Sequence, residues 1–155
     1  MKSPGIFPRI AFAAGLCMFT ALAAPAPEVP KPLSFRLLAK TVCKENAAPV
    51  FPAELRKLDG KWVTISGFSS PYDDPEKMQK ILLTGMSVGC FYCNPPEENG
   101  VIFVRRKSHE KPPEMENDSV TVEGIFHLVS PDSKDEEANQ FIFIIDNAKI
   151  IPRKG

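Results

Sequence analysis

From Gly60 onward the side chains alternate with a period of two, and that period constrains the fold more than any other feature of the chain. In GKWVTISGF, Val63, Ile65 and Gly67 fall on one side and Trp62, Thr64, Ser66 and Phe68 on the other. In SVTVEGIFHLV, Val120, Val122, Gly124, Phe126 and Leu128 face away from Thr121, Glu123, Ile125 and His127. Successive side chains of a strand point to opposite faces, so this alternation marks half-buried strands. Ile81-Leu82-Leu83, Val101 to Val104 (VIFV) and Phe141 to Ile145 (FIFII) are short apolar runs of the kind found in strands covered on both faces, and Lys149 to Pro152 reads as a strand end. Five strands with little helix between them predict an all-β fold, a small five-stranded OB-like barrel. Gly67 and Gly124 stand where a small barrel needs to bend.

Ahead of the barrel, Lys2 and Arg9 precede an apolar run from Ile10 to Ala24, and Ala21-Leu22-Ala23 places small residues where a signal peptidase reads them. Residues 1–23 are therefore expected to be a secretory signal, and the mature protein to be periplasmic or secreted. The run is shorter than the ~20 residues needed to span a bilayer, so no transmembrane segment is expected after cleavage. Cys17 leaves with the signal, and the bulky Leu16 before it argues against a lipidated cysteine. Residues 24–32 (APAPEVPKP) read as a proline-rich linker, with the barrel domain spanning 33–155. Leu33 to Val42 is either a first strand or a short helix. Phe51-Pro52 to Leu58 predicts one or two helical turns, with proline at the start and Asp59-Gly60 as the stop.

Excision of Lys2 and Arg9 leaves 17 basic against 19 acidic residues, a net charge of −2. A nucleic-acid partner is not expected, since no positive field is available to neutralise phosphates. Arg105 to Asp118 is polar and contains Pro112-Pro113, which predicts a turn rather than a helix. Pro131 to Asn139 is acidic and reads as a solvated hairpin tip. Trp62, Phe68 and Tyr72 either cover the open end of a small core or form an aromatic binding surface. No hydrolase motif or phosphate-cradling glycine loop is present.

The mature chain keeps Cys43, Cys90 and Cys93, an odd number, and Cys90-Phe91-Tyr92-Cys93 is a CxxC. Haem attachment is excluded because Asn94 stands where histidine is required. Thiol–disulfide catalysis fits poorly: Pro95-Pro96 supply no N–H donors to a thiolate, and Glu97 and Glu98 disfavour one electrostatically. Two readings remain level. One is a disulfide, Cys90 with Cys93 or Cys43 with either of them. The other is a metal site for zinc or copper, in which Cys90, Cys93, Cys43 and His127 form a Cys₃His set. The second needs His127 near the CxxC loop, which follows if the third and fourth strands form a hairpin with Val101 opposite Leu128. His109 falls at the far end of that hairpin, in a charged loop.

The combination of Phe51-Pro52, LDGKWVTISGF from Leu58 to Phe68, Pro71, Cys90, Pro95-Pro96, Asn99 and Val101 resembles the secreted bacterial family called domain of unknown function 3299. The resemblance covers about Leu33 to Pro152. It implies an exported OB-like domain distinguished by its cysteine-bearing loop, with no established enzyme activity, and envelope transporter components as candidate partners. Some members carry Cys with a nearby His and a longer proline run in this loop, whereas this chain has Cys93 and Pro95-Pro96 followed by Glu97-Glu98. An exchange of Cys for His favours metal ligation. The expectation is thus an exported, non-catalytic binding or accessory module, handling zinc or copper or supporting an envelope transport system through the CxxC loop. The alternatives are a thiol–disulfide redox protein and a structural interaction domain whose CxxC is a disulfide.

Overall fold

The computed structural model describes residues 29–74, 76–87, 93, 95–107, 119–129 and 133–152. The expected signal, Cys17, Cys90, His109, Pro112-Pro113 and the start of the acidic loop at Pro131 lie outside the described residues.

Six strands form one sheet: β1 (Lys31–Pro32), β2 (Lys61–Pro71), β3 (Lys80–Thr84), β4 (Val101–Arg106), β5 (Ser119–Leu128) and β6 (Phe143–Pro152). Two single-turn helices, α1 (Phe35–Leu38) and α2 (Ala53–Arg56), precede β2. The strand order is β1-β2-β3-β4-β6-β5, and β2 also pairs with β5. The five long strands therefore close on themselves as the expected small all-β barrel. Closure removes the exposed edges that an open sheet would present.

Each element has a local cause. Pro52 caps α2 with an extended backbone, Leu55 is its buried residue, and Gly60 at φ +69° takes the left-handed turn that leads into β2. Ser34 caps α1, its hydroxyl accepting from Leu37 N–H at 3.3 Å, which resolves the segment 33–42 in favour of a helix. The end of the proline-rich stretch is not a free tether. Lys31 and Pro32 pair parallel to Val63 and Thr64, and Leu33 is buried in the core.

The alternation in β2 and β5 separates the barrel interior from its exterior as expected. Val63, Ile65, Val120, Val122 and Phe126 are buried with Ile81, Leu83, Ile102, Val104, Phe143 and Ile145. Gly124 sits at a bulge where Asn147 and Ala148 of β6 stand opposite it, between the pairs Glu123–Lys149 and Ile125–Asp146. Asn147 adopts φ 53° there, so β6 is one bent strand rather than a run and a separate end.

Two expectations change. The third and fourth strands do not form a hairpin: β6 lies between them, parallel to β4 and antiparallel to β5. Phe103, Ile144 and His127 fall in line across the three strands. The reason is that an apolar run such as FIFII, covered on both faces, loses least in an interior position with a neighbour on each side. The acidic loop is also not a solvated tip. Its described part, residues 133–139, folds together with 140–142 over the outer face of β3, β4 and β6, where Leu82, Val101, Phe103, Val129, Ala138 and Ile144 form a second apolar cluster; Phe141 and Ile142, expected in the last strand, precede β6. Tyr72 belongs to this cluster, with its ring 5.0 Å from Phe103 and 5.8 Å from Phe141, so it serves as cover rather than as an open binding surface.

Candidate functional site

The loop between α1 and α2 builds one wall of a cleft. Val42 and Val50 exchange two backbone hydrogen bonds of 3.0 and 3.1 Å, which close residues 42–50 into a compact flap. Asn46, at φ 57°, makes its tight turn. The other wall is the short turn Glu98–Gly100 at the entry to β4. Asn99 ties the walls together, its side-chain amide donating to the Thr41 carbonyl at 3.1 Å. The cleft between them has a volume of about 1080 Å³ and is lined by Cys43, Lys44, Glu45, Glu97 and Glu98 among others.

Cys43 is a free thiol in this cleft. Its pKa is raised above 9.0 by partial burial, then by the neighbouring Glu98 carboxylate and by Glu97. Each of these disfavours the thiolate, the form that attacks a disulfide or binds a soft metal. Cys93 is exposed and disulfide-bonded, whereas Cys43 is free, so the two are not joined to each other. Cys90, the other thiol of the CxxC, lies outside the described residues.

His127 belongs to a different group. It is half-buried on β5 with Nδ1 3.9 Å from Asp59 and Nε2 3.9 Å from Asp146. Asp59 also accepts from the Leu128 N–H at 3.1 Å, and so joins the start of the barrel to the end of β5. Arg105 grips Asp146 with two parallel hydrogen bonds of 2.6 and 2.8 Å and bonds Asp135 with its remaining face. The fork geometry suits carboxylates, and the pair holds Arg105 protonated while its guanidinium depresses the Asp135 carboxyl. A cavity of about 370 Å³ lies between His127, Arg105, Asp135 and Asp146.

Of the four residues expected as metal ligands, three lie among the described residues. Cys43 faces Glu97 and Glu98, Cys93 is in a disulfide, and His127 stands between two aspartates. Among the described residues no three His, Cys, Asp or Glu side chains are grouped to hold a metal ion. The hairpin used to bring His127 to the cysteine loop is absent, although Val129 and Ile142, joined by a backbone hydrogen bond, keep the end of β5 beside the start of β6. Sequence reasoning missed Asp59, Arg105, Asp135 and Asp146 as a network. The available signal was a charge at the end of each of two apolar runs, VIFVR and FIFIID, since charges in buried strands are normally paired.

No helix among the described residues is long and apolar enough to cross a membrane. The search for curated relatives finds no match. A solved structure of a DUF3299 family protein from Pseudomonas aeruginosa PAO1 superposes with a TM-score of 0.55 at 18% sequence identity, over 83% of this chain and 99% of that one. At that identity the likeness speaks for the fold alone. The family model described as protein of unknown function (DUF3299) matches residues 39–151, a span holding both the cleft and the whole barrel from β2 to β6. By that match, the chain belongs to the DUF3299 family.

Proposed function

We propose that this protein is an exported, non-catalytic interaction module, and that its partner, an envelope component, engages the cleft between residues 42–50 and the Glu98–Gly100 turn. The observation that carries the reading is the state of the sulfurs. Cys43 is held back from ionisation by partial burial and by Glu98 and Glu97, and Cys93 is disulfide-bonded. The sequence offers Cys90 as the bonding partner, which leaves the CxxC as a brace for the proline-bearing loop at the cleft edge. A loop held in one shape presents a surface at low entropic cost.

Zinc or copper handling would first require reduction of the Cys93 disulfide, because the thiolate is the ligand. Thiol–disulfide catalysis would require an activated thiol, and Cys43 is tuned in the opposite direction. The test is a combined inventory on protein purified without chelator. One free thiol in the mature chain, no bound metal and no turnover in an insulin-reduction assay are expected. Near-stoichiometric zinc or copper that disappears in the Cys90→Ser, Cys93→Ser double variant would overturn the reading in favour of metal handling, and insulin turnover would overturn it in favour of redox activity.

A further inference from the structure

On the outer face of the barrel, Lys80 and Arg105 stand directly opposite each other on β3 and β4. Like charges in direct cross-strand register repel, so the pair favours anions over it in addition to the Asp146 carboxylate that already binds Arg105. Residues 133–142 supply them: Glu137 pairs with Lys80 at 2.7 Å and Asp135 with Arg105. Six residues beyond Asp135, Phe141 lies flat on Phe103, with ring centres 4.8 Å apart and planes 10° from parallel. Two cations and a stacking platform are therefore matched by two carboxylates and a ring from a single short segment.

The segment is anchored by Ala138, buried in the outer apolar cluster, and its polar grip is local. Both ion pairs are about one-third exposed at each partner, and the bond from Tyr72 to Gln140 is long, at 3.5 Å. Its own backbone bonds, from Asn139 to Asp135 and from Phe141 to Ala138, stay within the segment and would travel with it. Its attachment to the barrel backbone is at its base, where Val129 N–H donates to the Ile142 carbonyl.

We propose that this face is a peptide-binding site occupied in cis, with residues 133–142 as an acidic–aromatic strap that a partner segment of the same chemistry displaces. The ligand is a short acidic peptide able to take the same turn and single 3-10 turn, bearing two carboxylates two residues apart and an aromatic ring a few residues on. A peptide is favoured over a nucleic acid because the bound strap is itself peptide and the mature chain is expected to carry no net positive charge. Strap and ligand compete, so affinity is limited by the strap's closed population.

The experiment uses the mature chain and a synthetic peptide with the sequence of residues 133–142, SKDEEANQFI. The Asp135→Asn, Glu137→Gln, Phe141→Ala triple variant removes the strap's two ion pairs and its ring stack, and the peptide should bind to it at least tenfold more tightly than to wild type. Added Lys80→Ala should weaken that binding again. Equal binding to both chains, no binding to a triple variant that still unfolds cooperatively, or preferential binding of oligothymidylate would overturn the proposal. Should the triple variant fail to fold, hydrogen exchange on wild type decides: the Val129 amide, whose bond to Ile142 holds the strap's base, should exchange at least a hundredfold faster than that of Phe103, and equal protection would make the segment a permanent layer.

Discussion

Alanine at Gly124 would place a methyl group inside the barrel seam. Its Cβ would lie 2.5 Å from Ile145 Cγ2, 2.7 Å from the Asp146 carbonyl oxygen and 3.1 Å from Ala148 Cα. Unstrained carbon contacts are about 3.5–4.0 Å, so Ile145 must retreat by roughly 1 Å. Ile145 is fully buried, and the other two neighbours are backbone at the bulge. No flexible side chain can absorb the change, which puts the cost near the top of the usual overpacking range, about 3 kcal/mol. For a domain of this size that lowers Tm by about 10 °C. Two controls separate packing from backbone effects. Gly60→Ala meets no atom within 4 Å but carries φ +69°, and should cost about 1 kcal/mol. Gly100→Ala meets only Pro96 Cβ at 3.7 Å, an ordinary contact, and should stay within about 0.5 kcal/mol of wild type. Urea unfolding with a shared m-value measures all three. If Gly124→Ala costs no more than Gly60→Ala, the close approach of β6 to β5 at the bulge is not a packing constraint and the reasoning fails.

Replacing Glu98 with Gln removes the carboxylate that acts most strongly on Cys43, so alkylation of Cys43 by iodoacetamide at mildly alkaline pH should speed up and its pH profile move down; an unchanged profile would leave burial and Glu97 as the causes. Asp135→Asn should cost about 1 kcal/mol or less, because the Arg105 pair is about one-third exposed and screened by solvent. Asp135 is held below its ordinary 3.8 chiefly by its hydrogen bond to Arg105. A carboxyl depressed by folding contributes stability above its unfolded pKa and loses it as pH falls through the folded value. The wild-type advantage over Asp135→Asn should therefore be flat above about pH 5 and vanish under strong acid; an advantage that persists in acid would show that the charge is not its source.

Much of the barrel was legible along the chain because a strand's burial is written in its own side chains. The alternation in GKWVTISGF and SVTVEGIFHLV reports an inner and an outer face, and β2 and β5 follow it. The runs ILL, VIFV and FIFII report two covered faces. They also implied an outer layer over β3, β4 and β6, although nothing local identified residues 133–142 as that layer. Asn99 was recognisable as part of a motif, but its role, holding the Thr41 carbonyl across the cleft, depends on a contact between segments 58 residues apart.

By itself, then, the sequence determined the strands, the turn at Gly60, the unfavourable setting for a thiolate near Glu97 and Glu98, and membership of a family by its motif. Only the tertiary structure decided that β6 inserts between β4 and β5, that His127 faces Asp59 and Asp146, and that Lys80 and Arg105 stand side by side beneath an acidic strap. The physical reason is that periodicity is a property of one strand and its solvent, whereas backbone hydrogen bonds accept any neighbour equally well. Which strands become neighbours is settled by the joint burial of all of them, and every cross-strand site follows from that choice.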